Sequence, residues 1–115
     1  MSYMLSGQEE INNLLEKAQR ISKLAIRYGT LGTEFAEAER AYRESLAMKM
    51  YELRDQKIPV TIIGDLSRGD HNVALLRAKR DSAEAFYKAQ WELIQAEKLE
   101  LKILSDQIKM EYSAE

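Results

Sequence analysis

Cysteine is absent from the 115 residues, so neither a disulfide framework nor a thiolate metal site is open to this chain. Histidine occurs once, as His71. The di-iron bundle pattern needs Glu-x-x-His pairs facing inward, and none can be formed; Glu34, Glu37, Glu97 and Glu100 read as solvated helix faces. His71 itself, beside Asp70 and Asn72, has no converging partners in sequence and is expected to be a solvent-exposed residue. Proline also occurs once and glycine five times, which leaves few of the residues that punctuate strands and turns. No run approaches the roughly 20 apolar residues of a membrane-crossing helix. The first residues lack the charged and apolar blocks of a signal peptide, so a cytoplasmic location is expected. No G-x-S-x-G elbow and no phosphate-binding G-x-x-x-x-G-K occurs, and Gly29–Gly32 lacks the lysine and the preceding strand. The expectation is a protein without catalysis, cofactor or metal.

What is present is helix-forming. Hydrophobic residues make up 45% and charged residues 31%, and Ala, Glu, Leu, Lys, Arg and Gln dominate, residues that lose little side-chain entropy in a helix. From Ile11 onward apolar residues fall on a seven-residue lattice. One row is Leu14, Ile21, Tyr28, Phe35 and Tyr42; a companion row is Ile11, Ala18, Ala25, Gly32, Glu39, Leu46 and Leu53. Two rows three apart form one stripe, the pattern of a helix packed lengthwise on another. The lattice stays in phase across Gly29 and Gly32, which predicts one helix over about 8–56, weakened near Gly29. A true break there, giving three helices, is the alternative.

Pro59 ends that helix near Ile58. In the connector, 57–70, Val60, Ile63 and Leu66 sit three apart, and a short helix from Pro59 to Arg68 closed by Gly69 is expected. Asp70 is a good N-cap for a second long helix over about 71–112. Its stripe runs through Leu76, Ala83, Tyr87, Ile94, Leu101, Leu104 and Ile108. Gln90 and Glu97 fall on that lattice, and the expectation is a helix rotated enough to expose both; a buried polar pair fixing register is the alternative. Tyr87 and Trp91, four apart, read as core or interface.

The second helix has another apolar row, Leu75, Ala78, Ala85, Ala89, Ala96, Leu99 and Ile103. A helix apolar on two sides is covered on two sides. The fold class expected is therefore all-α: a single domain, a hairpin of two long antiparallel helices with a short helical connector, dimerising into a coiled-coil-like four-helix bundle. Leu75, Ala85, Ala89, Ala96, Leu99 and Ile103 are the candidate dimer interface.

Charge is uneven. Residues 40–80 balance to +4, against −2 for residues 1–39 and −4 for residues 81–115. Arg54, Lys57, Arg68, Arg77, Lys79 and Arg80 would gather near the connector, as candidate contacts to an acidic partner or to nucleic-acid phosphates. A dedicated nucleic-acid binder is usually basic, whereas this chain carries a net −2, so direct nucleic-acid binding is the weaker alternative.

Ala38-Glu39-x-x-Tyr42, Ile58-Pro59-Val60-Thr61-x-Ile63-x-Asp65-Leu66-x-x-Gly69, Arg80-Asp81-x-Ala83-Glu84-Ala85-x-Tyr87 and Leu99-Glu100-Leu101 together resemble small helical proteins encoded by phages and prophages of Gram-positive bacteria. The resemblance covers roughly residues 38–104, and it implies an origin near genes of DNA metabolism rather than an activity. The function expected is a phage-encoded interaction protein. It would act in the host bacterial cell by binding and modulating or inhibiting a host or phage protein that acts on DNA, for example a defence nuclease such as a CRISPR effector. A DNA-binding accessory of recombination or replication and a virion component are the alternatives.

Overall fold

The computed structural model describes residues 2–113, with side chains from residue 7 onward. Among these residues all regular structure is helical: α1 Ser2–Asp55, α2 Val60–Gly69 and α3 His71–Ser113. The chain divides into two compact units, one of residues 1–29 with 89–115 and the other of residues 30–88.

α1 passes through Gly29 and Gly32 without interruption, and no glycine adopts a positive φ. The single-helix expectation holds, with α1 starting six residues before the expected Gln8.

α1 ends in a Schellman motif. Lys57 N–H donates to the Arg54 carbonyl (3.0 Å) and Ile58 N–H to the Leu53 carbonyl (3.2 Å), with Lys57 in the left-handed region at φ 63°. Pro59, expected inside the first turn of α2, precedes the helix with extended backbone, φ −55° and ψ 133°. Gly69 is likewise not a left-handed cap. α2 stops because Asp70 turns extended (ψ 136°), its N–H bonded to the Ser67 carbonyl at 3.2 Å. Asp70 then caps α3 as expected, Oδ2 accepting from Asn72 N–H at 3.1 Å and Val73 N–H at 3.2 Å.

In the first unit the start of α1 and the end of α3 run antiparallel, with Leu24 opposite Gln90 and Lys17 opposite Glu97. Leu14, Ile21, Leu24 and Tyr28 are partly buried on α1; Ile94 and Glu97 are buried on α3, with Leu101, Leu104 and Ile108 beside them. The row through Leu14, Ile21 and Tyr28 is as read from the sequence. Its companion is not: Ile11, Ala18 and Ala25 are exposed, and the seam is completed by Lys17 and Leu24 on the other flank. A charged residue at a seam position hides the true stripe from a count of apolar residues, and the helix is rotated by one position.

In the second unit the seam joins Leu31, Phe35, Ala38 and Tyr42 of α1 to Val73, Leu76, Arg80, Ala83 and Tyr87 of α3. Here Leu46 and Leu53 of the expected companion row are also covered, because α2 lies beside α1 and inserts Ile63 and Ser67. Tyr87 packs on Phe35, ring centroids 5.9 Å apart.

Candidate interaction surfaces

Polar groups interrupt both seams, and Glu97, Gln90 and Arg80 each meet a partner there. Glu97, expected in solvent, is only 8% exposed. Its Oε2 lies 2.9 Å from Lys17 Nζ and its Oε1 3.3 Å from Arg20 Nε, an ion-paired rather than tightly hydrogen-bonded arrangement. The Lys17 contact first, opposed by desolvation and then aided by Arg20, holds the Glu97 carboxyl below the usual carboxylate range. Lys17 also reaches Glu100. Gln90, likewise half-buried rather than exposed, donates from Nε2 to the Leu24 carbonyl at 3.0 Å. The rotation that buries both is the same one that brings Lys17 into the seam.

Arg80 does the equivalent work in the second unit. Its guanidinium carbon sits 4.6 Å from the centre of the buried Tyr42 ring, Nη1 lies 3.2 Å from Glu39 Oε2, and Nη2 lies 2.8 Å from Asp81. Asp81 above all raises its pKa further, with Glu39 adding to it. Of the six cations read as partner contacts, Arg80 is therefore committed to the fold. Arg54, Lys57, Arg77 and Lys79 are exposed, and Arg68 is exposed with Asp65 3.8 Å away. Acids stand among them, Glu52, Asp55 and Asp65, so the unbroken positive field that phosphates reward is missing around α2. His71 is exposed at the first position of α3. Glu37 pairs with Arg40, and Glu34 and Glu100 are exposed. Among the described residues no group of three or more His, Cys, Asp or Glu side chains could hold a metal ion, and no helix is long and apolar enough to cross a membrane.

The outer row of α3 is in water. Leu75 is 56%, Leu99 59% and Ile103 49% exposed, and Ala85, Ala89 and Ala96 between them are exposed as well. Leu75 and Ala85 belong to the second unit, the other four to the first. Trp91, 46% exposed, borders this surface and packs on Tyr28 at 5.6 Å, so the Tyr87–Trp91 pair divides into one seam residue and one at the edge.

A second apolar surface, which the sequence reading did not single out, lies between the end of α1 and α2. A groove of about 440 Å³ is lined by Ala47, Met50, Tyr51, Arg54, Val60, Ile63 and Gly64. Tyr51 is 69% and Val60 77% exposed. The signal for it was the Ile58–Ile63 run, whose apolar residues exceed what one buried face of a ten-residue helix can absorb.

No family model, curated protein or solved structure matches this chain.

Proposed function

We propose that this is a non-enzymatic interaction protein that pairs with a second copy of itself and binds a partner protein in order to modulate it. The observation that carries the reading is the outer row of α3 in the first unit: Ala89, Ala96, Leu99 and Ile103 left in water on a helix whose other side is already packed. Contiguous exposed apolar surface of this kind marks interfaces. Ala89 and Ala96 let a second helix approach closely beside Leu99 and Ile103, and an isologous pairing of two such faces yields a four-helix arrangement. The charged seam groups Lys17, Glu97 and Arg80 are spent on ion pairs within the fold, which leaves packing as the chemistry on offer. The resemblance to phage-encoded proteins directs the choice of partner toward a host or phage protein acting on DNA, with a defence nuclease as one example.

Sedimentation tests the first half. The chain is expected to sediment as a dimer at micromolar concentration, and Leu99→Lys with Ile103→Lys to give a folded 13.3 kDa monomer. A monomer for the unmodified protein at every concentration rejects the pairing. The second half is tested by capture from host lysate, with identification of a retained DNA-acting protein that the monomeric variant or an α2 variant loses.

The exposed cations Arg54, Lys57, Arg77 and Lys79 favour one other reading, contact with DNA phosphates. It requires binding of labelled DNA that weakens steeply between about 50 and 200 mM salt. Such binding, lost on alanine substitution at those four positions, would replace the protein-partner reading.

A further inference from the structure

We infer that the groove between the end of α1 and α2 is the docking site for an amphipathic helix of the partner protein, one whose apolar face is flanked by carboxylates. This rests on the reading of the chain as an interaction protein and names the chemistry of what it binds.

The groove's walls are Met50, Tyr51 and Arg54 from α1 and Val60 and Ile63 from α2, with Gly64 also in the lining. Its volume, about 440 Å³, is in the range of clefts that take ligands or several side chains, roughly 300–1,000 Å³. The trough is flanked by two helices, the form that receives a third helix through anchors at i, i+3, i+4 and i+7.

Gly64 is the second observation. It lies in the middle of α2 with an ordinary helical φ, so the backbone does not require glycine. The nearest neighbours of a Cβ built there are the guanidinium atoms of Arg68, Nη1 at 3.0 Å, the far end of a flexible side chain. The packing of this chain therefore does not require glycine either. A helix-interior glycine costs stability, and what it gives in return is bare backbone that another chain can approach closely. Arg68 arches over that bare stretch.

Charge selects the occupant. Arg54 is the one charged residue in the lining, which contains no carboxylate; Arg68 lies outside the lining, with Nη1 3.0 Å from the Cβ position of Gly64. Asp65, 93% exposed at its side chain and 3.8 Å from Arg68, lies outside the lining. An incoming helix with Glu or Asp beside its apolar anchors meets the Arg54 guanidinium in the groove, for which carboxylates are the matched acceptors. A second copy fits less well, since a self-facing groove sets Arg54 against Arg54.

The probe is a synthetic helical peptide with leucines at i, i+3, i+4 and i+7 flanked by glutamates. It is titrated into the ¹⁵N-labelled full chain, beside a lysine-flanked version and a glutamate version with the leucine spacing scrambled. The glutamate peptide should shift the amides of Tyr51, Val60 and Gly64 and bind on the order of tenfold more tightly than the lysine peptide. Arg54→Glu should invert that preference. Gly64→Leu should abolish binding while melting no lower than the unmodified protein, which separates a filled groove from a damaged fold. Equal affinity for the two charges, unchanged binding by Gly64→Leu, or no binding by any peptide overturns the proposal. Shifts confined to Leu99 and Ile103 overturn it too, but leave the interaction-protein reading standing; that reading falls only with the sedimentation and capture results.

Discussion

One edge of the Tyr87 ring rests against the α1 backbone at Gly32: a Cβ added there would lie 3.0 Å from Tyr87 Cε1 and 3.5 Å from Cζ. Gly29, one turn earlier, faces open space, with nothing within 4 Å of the same construction. Two glycines that look alike in sequence thus differ in kind. Gly29→Ala should stabilise by about 1 kcal/mol, the helix-propensity difference, and raise the melting temperature. Gly32→Ala gains the same propensity but pushes a ring already packed on Phe35, and overpacking costs about 1–3 kcal/mol, so it should melt below the unmodified protein. Paired thermal melts decide; equal shifts in the two variants would show that Tyr87 yields freely.

That contrast shows what could be read from the sequence. The lattice through Leu14, Ile21, Tyr28, Phe35 and Tyr42 crossed both glycines in phase, and the continuous helix followed from it. Asp70, placed before a new apolar stripe, identified the start of α3. The wrong companion row in the first unit has a definite cause. Lys17 and Glu97 occupy seam positions, and their legality there depends on each other across 80 residues of chain, a pairing invisible to any local window. The same holds for Arg80, which reads as a surface cation until Tyr42 and Glu39 are brought beneath it. The groove beside α2 depends on how α2 lies against α1, which the spacing of its own residues does not state.

The seam carboxylates set an acid limit. Glu97, Glu39 and Asp70 are each held below the usual carboxylate range: Glu97 first by Lys17, Glu39 first by Arg43, Asp70 first by the Val73 N–H. A group whose pKa is lower folded than unfolded contributes stability that is present above its unfolded pKa. That contribution is lost as pH falls through the folded one. Stability should therefore decline as pH falls below the ordinary carboxylate range, about 4, toward the lower folded values of these groups. Glu10 runs the other way. Desolvation first, then the neighbouring Glu111, raise its pKa, so protonation favours the fold there and softens the decline. Urea denaturation at stepped pH should show Glu97→Gln less stable near neutrality and with a shallower acid slope. An unchanged slope would place Glu97 in solvent.

Lys57 holds a left-handed conformation, φ 63°, at the position of the Schellman motif that glycine usually fills. The Cβ penalty in that region is about 1–2 kcal/mol. Lys57→Gly should relieve most of it, raising the melting temperature, with part of the gain returned through the greater freedom of glycine in the unfolded chain. Lys57→Val, whose branched Cβ tolerates this region least, should lower it. If lysine and glycine melt alike, the motif is not formed in solution.

Ser67 is fully buried on α2 near the start of α3, and its Oγ has no hydrogen-bond partner among the described residues. An unpaired hydroxyl removed from water costs about 1–3 kcal/mol. Alanine deletes that oxygen and leaves almost no void, so Ser67→Ala should stabilise, shifting the urea midpoint upward without changing the slope. The residue is then retained for its size, since its side chain is fully enclosed at 0% exposure. Ser67→Leu should accordingly force α2 off the other helices, with loss of cooperativity and of the groove that α2 helps to build. A fall in stability for Ser67→Ala would instead mean that the hydroxyl is bonded in solution, and the packing of α2 would have to be redrawn around that bond.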